Sequence, residues 1–354
     1  MMRKLAVAVL LAVAGTASAS WTGKLVWSVY PGWMPVPYAD FKGYMKEEAD
    51  KAGIGIEVSE LKYAPSVEQF VAGNFDACVM TNMEAYDWPA AAGIDVTVLL
   101  PTDYSDGNDG VIVKKGVDPL KIPRGSHVVM GDGTVSRYLF NKWLENIGRP
   151  RDYFTIANVI DENLIPTTFL EGEHPLCVTW NPHLMNILQD PRVNPVPVFT
   201  SAEIPGHIMD LLVVKTVVLR EHPEFGTALV NALYKAMADM SDRRTKGPTL
   251  SWMARKAATN TLDEFTSQLR TTRMFYTPTE AYEWMNSSSY DLMDEMRKFC
   301  AETGLLKDVK NPDEIAIEFT ANGVTRVLGK PDNLKLRFTD VYMRATAANI
   351  AAGK

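Results

Sequence analysis

Phe75-Asp76-Ala77-Cys78-Val79-Met80-Thr81-Asn82-Met83-Glu84-Ala85-Tyr86 decides the fold. Residues 75–80 have the length and apolarity of a strand buried on both faces, and Thr81 or Asn82 suits the N-cap of a helix over 83–92 that Gly93 ends. Thr81, Asn82 and Glu84 then fall at the carboxyl edge of a sheet, where open α/β sheets form their ligand crevices. The simpler alternative is a capped helix on its strand, with Glu84 only complementing the helix dipole.

Working outward, strands over 24–29 and 54–61 flank a helix over 41–52 with Asp40 as N-cap. Ser66-Val67-Glu68-Gln69 reads as a capping box that starts a second helix, and Gly73 ends it. A fourth strand covers 95–100 and a polar loop covers 103–110. Strands over 127–130, 154–159 and 176–180 form a second α/β unit, whose main helix runs from Ser136 to 147. The runs near 111–113 and 211–215 are expected to be two hinge crossovers. The expected fold is α/β and two-lobed, each lobe a mostly parallel sheet with helices on both faces. Lobe 1 is expected to be 20–112 plus 213–354, and lobe 2 to be 113–212. Phe225, Leu229, Leu233 and Met237 make a helical stripe in the C-terminal part.

Arg3 and Lys4, the apolar run 5–14 and Ala17-Ser18-Ala19 predict a cleaved signal peptide over 1–19, and hence export to a periplasm. No later run is long and apolar enough to insert stably in a membrane. The formal charge of -7 becomes -9 when Arg3 and Lys4 leave with the leader, which makes nucleic acid and anionic membranes poor partners. Cys78, Cys177 and Cys300 allow at most one disulfide, and the first two read as small buried apolar groups inside strands.

Enzymatic signatures are missing: there is no His-Glu-x-x-His, Gly-x-Ser-x-Gly, phosphate loop or dinucleotide fingerprint. No cofactor and no metal are expected, and an enzyme is not the expected role. Aromatic and acidic residues share the carboxyl-edge loops instead: Trp33 and Trp180 among the first; Glu84, Asp103, Asp106, Asp109, Asp161 and Asp210 among the second. Aromatic faces and carboxylates together suit a small cation or a planar urea-like group. Asn82, Asn108 and Asn181 add amide hydrogen bonds. The alternative is an anion at the helix start 134–137, where Thr134, Ser136 and Arg137 offer N–H groups and one guanidinium to a sulfonate, taurine or nitrate.

Five segments carry a family resemblance: Ser66-Val67-Glu68-Gln69-Phe70 with Gly73, Thr81-Asn82-Met83-Glu84-Ala85, Gly107-Asn108-Asp109-Gly110, Val178-Thr179-Trp180-Asn181-Pro182 and Glu203-Ile204-Pro205-Gly206. On these the chain resembles the nitrate/sulfonate/taurine-type periplasmic solute-binding proteins of ABC importers, and within them the urea carboxylase-related branch. The resemblance implies a urea, guanidine or related amine as solute, and a membrane permease with its ATPase as partner. His207 stands where that branch suggests an acid, and residues 161–164 read Asp-Glu-Asn-Leu where an acid-rich run is expected.

Overall fold

The computed structural model describes residues 21–257, 259, 261–306 and 309–353; the expected signal peptide lies outside them. Fourteen strands are present among the described residues: β1 (Thr22–Trp27), β2 (Gly55–Glu60), β3 (Ala77–Thr81), β4 (Val96–Ser105), β5 (Asp109–Val113), β6 (His127–Met130), β7 (Thr155–Asn158), β8 (Leu176–Trp180), β9 (Val196–Thr200), β10 (Met209–Lys215), β11 (Thr272–Met274), β12 (Ala316–Ala321), β13 (Val324–Leu328) and β14 (Leu334–Thr339). They build two sheets. The first has the order β13-β12-β14-β4-β10-β3-β1-β2 with β11 added beside β4; the second is β7-β6-β8-β5-β9.

Both sheets are mixed, and the chain path explains why. β4 runs out to the carboxyl edge of the first sheet and crosses to the second through 106–108. The return comes through 201–208 and enters the first sheet at that same edge, so β10 lies antiparallel to both β3 and β4. β5 enters the second sheet in the same way and lies antiparallel to β8 and β9. The remaining pairs near the site, β1 with β2 and β3 and β6 with β7 and β8, are parallel.

The crossovers lie a few residues from where the hydrophobic runs suggested. Residues 111–113 are paired inside the second sheet, and the supposed loop 103–110 shrinks to 106–108 because β4 continues through Thr102, Asp103 and Ser105, all buried. Ser201 ties the two crossings together: its hydroxyl meets Ser105 Oγ at 2.7 Å and accepts from the Gly107 N–H at 2.7 Å.

Local chemistry also corrects three helix starts. Gly43, with φ +74°, opens the Tyr44–Ala52 helix in place of Asp40, which closes the preceding Pro35–Phe41 turn of helix. The helix after β2 starts at Tyr63, so Ser66 is internal and donates to the Tyr63 carbonyl at 2.7 Å rather than capping. After β6, the Val135–Asn146 helix is capped by Thr134, whose side chain accepts from the Ser136 N–H, and not by Ser136.

The core follows the sheets. β3 is buried at every position, β10 at all but its last, and the stripe of Phe225, Leu229, Leu233 and Met237 on the Pro223–Ser241 helix is fully buried. Cys78 and Cys177 sit inside β3 and β8 as buried free thiols, and Cys300 is buried and free as well. Among the described residues no helix is long and apolar enough to cross a membrane.

Candidate functional site

The return path that makes the sheets mixed also concentrates acids. Asp210 is the second residue of β10 and stands opposite Thr81 at the end of β3 and Asp103 near the end of β4. Asp109, the first residue of β5, stands opposite Trp180 at the end of β8. A cavity of about 20 Å³ lies between the sheets, lined by Tyr30, Trp33, Tyr63, Thr81, Asp109, Thr134, Val135, Trp180, Ile208 and Asp210. That volume exceeds the ~10–15 Å³ a water needs, yet it restricts the occupant to something compact.

Four aromatic rings form a continuous wall across both lobes. Centroid separations are 5.1 Å from Tyr30 to Trp33, 5.3 Å from Trp33 to Tyr63 and 6.1 Å from Tyr63 to Trp180. Such ring faces favour cations and planar groups.

Charge in the cavity is of one sign. Asp103, Asp109 and Asp210 are each at most 3% exposed, and no Lys, Arg or His lines the cavity. Burial pushes Asp109 up to about 7 against the bond from Ser105 Oγ, which pulls the other way. Burial likewise lifts Asp103 to about 7, with the neighbouring Asp109 charge adding to it. Asp210 rises well above the usual carboxylate range, from burial first and then from Asp103 and Asp109. Like charges directly opposite on paired strands repel, so the group shares protons and titrates as a unit. Asp103 Oδ1, Asp210 Oδ2 and the Trp33 indole N–H are buried without a partner from the chain. Two acceptors and one donor are therefore open. Gly32 is needed for this packing, since a Cβ there would collide with the Asp103 carboxylate.

Several residues expected at the site are used by the chain itself. The Asn82 amide donates to the His207 carbonyl at 3.1 Å and accepts from the Met209 N–H at 3.0 Å. Asn181 donates to Asn108 Oδ1 at 2.6 Å and accepts from the Met185 N–H at 3.0 Å. Asn108 also donates to the Tyr30 hydroxyl at 3.3 Å and takes a bond from Thr271 Oγ1 at 2.9 Å. These three amides lock the crossings and are not left over to orient a solute. Asp106 lies half-buried in the crossing outside the cavity, its N–H bonded to the Thr271 carbonyl. Asp161 is at the surface, paired with Lys62 at 2.6 Å. The His207 ring faces the Tyr138 hydroxyl at 2.7 Å and lies outside the cavity lining. Ser136 is fully buried with an unpartnered hydroxyl, but is not among the lining residues.

Of the expected residues, Trp33, Asp109, Trp180 and Asp210 converge on the cavity. Tyr63, which also lines the cavity, is not among the residues the sequence reading singles out. Tyr63 lies three residues past the end of β2, so the carboxyl-edge rule that points to Trp33 applies to it equally. Asp103 is one of the carboxyl-edge acids expected from the sequence, but it lies in the strand β4 and not in a loop.

Glu84 does something different. Its Oε1 accepts the Val135 N–H at 3.1 Å, across the gap between lobes, and its Oε2 accepts from the Thr81 hydroxyl. Burial pushes it up to about 7, and the same burial with the nearby Glu84 charge lifts Asp87 well above its usual range. The first turn of the Val135–Asn146 helix is thereby consumed: the Val135 N–H goes to Glu84, the Ser136 N–H to Thr134 Oγ1 at 3.3 Å, and the Arg137 N–H to the Thr134 carbonyl at 2.9 Å. Arg137 pairs with Asp132 at 2.7 Å and is absent from the cavity lining. Among the described residues no group of three or more His, Cys, Asp or Glu side chains is arranged to hold a metal.

The sequence matches no protein-family model and no curated protein. Solved structures do resemble it. The periplasmic aliphatic sulphonate binding protein SsuA from Escherichia coli aligns with TM-score 0.65 at 13% identity, over 82% of this chain and 90% of that one. The alkanesulfonate-binding protein SsuA from Xanthomonas axonopodis pv. citri bound to MOPS gives 0.66 at 11%, over 83% and 96%. The periplasmic nitrate-binding protein NrtA from Synechocystis PCC 6803 gives 0.67 at 12%, over 93% and 89%. At these identities the likeness carries the architecture alone, and the chain has the two-sheet α/β fold of the periplasmic binding proteins.

Proposed function

We propose that this protein is the solute-binding component of an ABC importer, taking a compact nitrogen-rich solute such as guanidine, urea or a related amine between its lobes and handing it to a membrane permease. One observation carries the reading: Asp109 and Asp210 line a cavity backed by Asp103, and no basic side chain lines it. Buried carboxylates need a counter-charge or donors, and a guanidinium or ammonium group supplies both. The open Trp33 indole N–H adds a preference for a solute that also offers one acceptor, as urea does. On this reading Trp33, Asp109, Trp180 and Asp210 contact the solute, Asn82, Asn108 and Asn181 brace the crossings, and Glu84 and Asp161 brace the lobe contacts.

A second reading is favoured by the fold relatives, which are described as sulfonate- and nitrate-binding proteins and so support an anion as solute; the 134–137 helix start is the candidate site for it in this chain. Against it stand the occupied N–H groups of that helix turn and the pairing of Arg137 with Asp132. Melting curves of the purified protein with guanidinium, urea, methylammonium, taurine, methanesulfonate and nitrate separate the two. A ligand at 100 times its Kd adds about 2.7 kcal/mol. A rise with guanidinium or urea supports the amine reading; a rise confined to the anions replaces it with the second. Recovery of the solute chemically unchanged after long incubation is expected, whereas its conversion would indicate an enzyme on this fold.

A further inference from the structure

Within the proposed cation-binding role, on which the inference rests, we infer that Glu84 is the charge-selectivity residue: its carboxylate is a built-in anion that fills the helix start of the opposite lobe and so shuts small anions out of the cleft. A helix N-terminus attracts anions through its free N–H groups and dipole. Here that position is taken by a side chain of the first lobe. Glu84 is 1% exposed, its Oε1 lies 3.1 Å from the Val135 nitrogen, and Thr81 holds its other oxygen. Thr81, Thr134 and Val135 all line the cavity, so the internal anion borders the space a solute enters. Trp88, from the same segment as Glu84, clamps the turn from the other side by donating its indole N–H to the Gly133 carbonyl at 3.4 Å.

The turn keeps the equipment of an anion site beneath its plug. The Ser136 hydroxyl is fully buried with no partner, one residue beyond the N–H that Glu84 occupies. Removing the carboxylate frees the Val135 N–H beside this hydroxyl and leaves a void about the size of the carboxylate. The same bond is one of the contacts that join the lobes, so the charge selected is coupled to the closed arrangement.

Calorimetric titrations at pH 8 with guanidinium chloride, sodium formate and sodium nitrate test the inference on wild type, Glu84→Ala and Glu84→Gln, with circular dichroism to check folding. Wild type is expected to bind guanidinium and neither anion. Glu84→Ala is expected to bind formate or nitrate at least about tenfold more tightly than wild type does, and millimolar formate is expected to restore part of its guanidinium affinity by refilling the void. Glu84→Gln keeps the volume and an acceptor for the Val135 N–H, so it is expected to stay blind to anions while losing guanidinium affinity about three- to tenfold. A folded Glu84→Ala that still binds guanidinium but no anion overturns the inference and leaves the cation reading standing. Wild type that binds the anions and ignores guanidinium overturns both. Should Glu84→Ala fail to fold, Glu84→Gln decides: unchanged guanidinium affinity overturns the inference.

Discussion

At the residue scale, the buried acids near the crossing ends of β4, β5 and β10 are expected to set both stability and affinity. Asp103 and Asp109, pushed up to about 7, hold protons more tightly in the folded state than in the unfolded chain. Stability therefore falls as pH rises from the ordinary carboxylate range near 4 through 7, and a cation, which favours the ionised form, binds more tightly across the same span. The ligand-free protein is expected to melt higher at pH 5.5 than at pH 8, with the guanidinium-induced rise in melting temperature larger at pH 8; a ligand effect larger at pH 5.5 contradicts the account. Asp210→Asn removes one of two like charges opposed on adjacent strands. It is expected to leave the ligand-free melting temperature unchanged or raised, while costing about 2–5 kcal/mol of cation binding in calorimetry. Trp180→Ala is expected to weaken binding as well. Trp180 touches Tyr63 and His183 edge-on at the cavity wall, and its loss leaves the core strand β8 otherwise intact.

At the element scale, the apolar strands were legible and the polar stretch between them was not. β3, β8 and β10 announce themselves as short apolar runs, and the Pro223–Ser241 helix as a stripe of large side chains every four residues. Thr102, Asp103, Tyr104 and Ser105 continue β4 instead of ending it, because β10 pairs with this stretch, the Thr102 hydroxyl donates to the Asp210 carbonyl at 3.3 Å and the Ser105 hydroxyl meets Ser201, partners far away in sequence. The three asparagines are expected from the sequence to hydrogen-bond a solute, and in the structure they bond within the chain. Their partners are other parts of the chain, which spacing alone does not reveal. Gly32 tests the element packing: Gly32→Ala places a methyl against the Asp103 carboxylate. That change is expected to weaken cation binding more than tenfold with a modest fall in melting temperature, and wild-type affinity in the variant would show that Asp103 is free to move.

At the scale of the whole molecule, the lobes meet on two sides of the cavity. On one side Lys62 pairs with Asp161 at 2.6 Å and the Tyr63 N–H donates to Glu162 at 2.8 Å. On the other, the Val135–Asn146 helix reaches the Pro278–Glu302 helix through Lys142 with Glu295, and the neighbouring Arg151 pairs with Glu302 at 3.0 Å. Exposed pairs such as Lys62–Asp161 are worth about 0–1 kcal/mol to folding. Their effect falls on the balance between open and closed forms, which a solute shifts only by its differential affinity. Lys62→Ala is expected to leave the melting temperature within about 2 °C of wild type while raising the solute dissociation rate severalfold in stopped flow; a large fall in melting temperature with an unchanged rate contradicts a latch. On the proposed function this cleft selects positive charge. Direct competition at pH 8 tests it: with radiolabelled guanidinium in equilibrium dialysis, unlabelled methylammonium or guanidinium is expected to displace the label and methanesulfonate is not, whereas failure to retain the label together with retention of labelled methanesulfonate or nitrate would contradict the account.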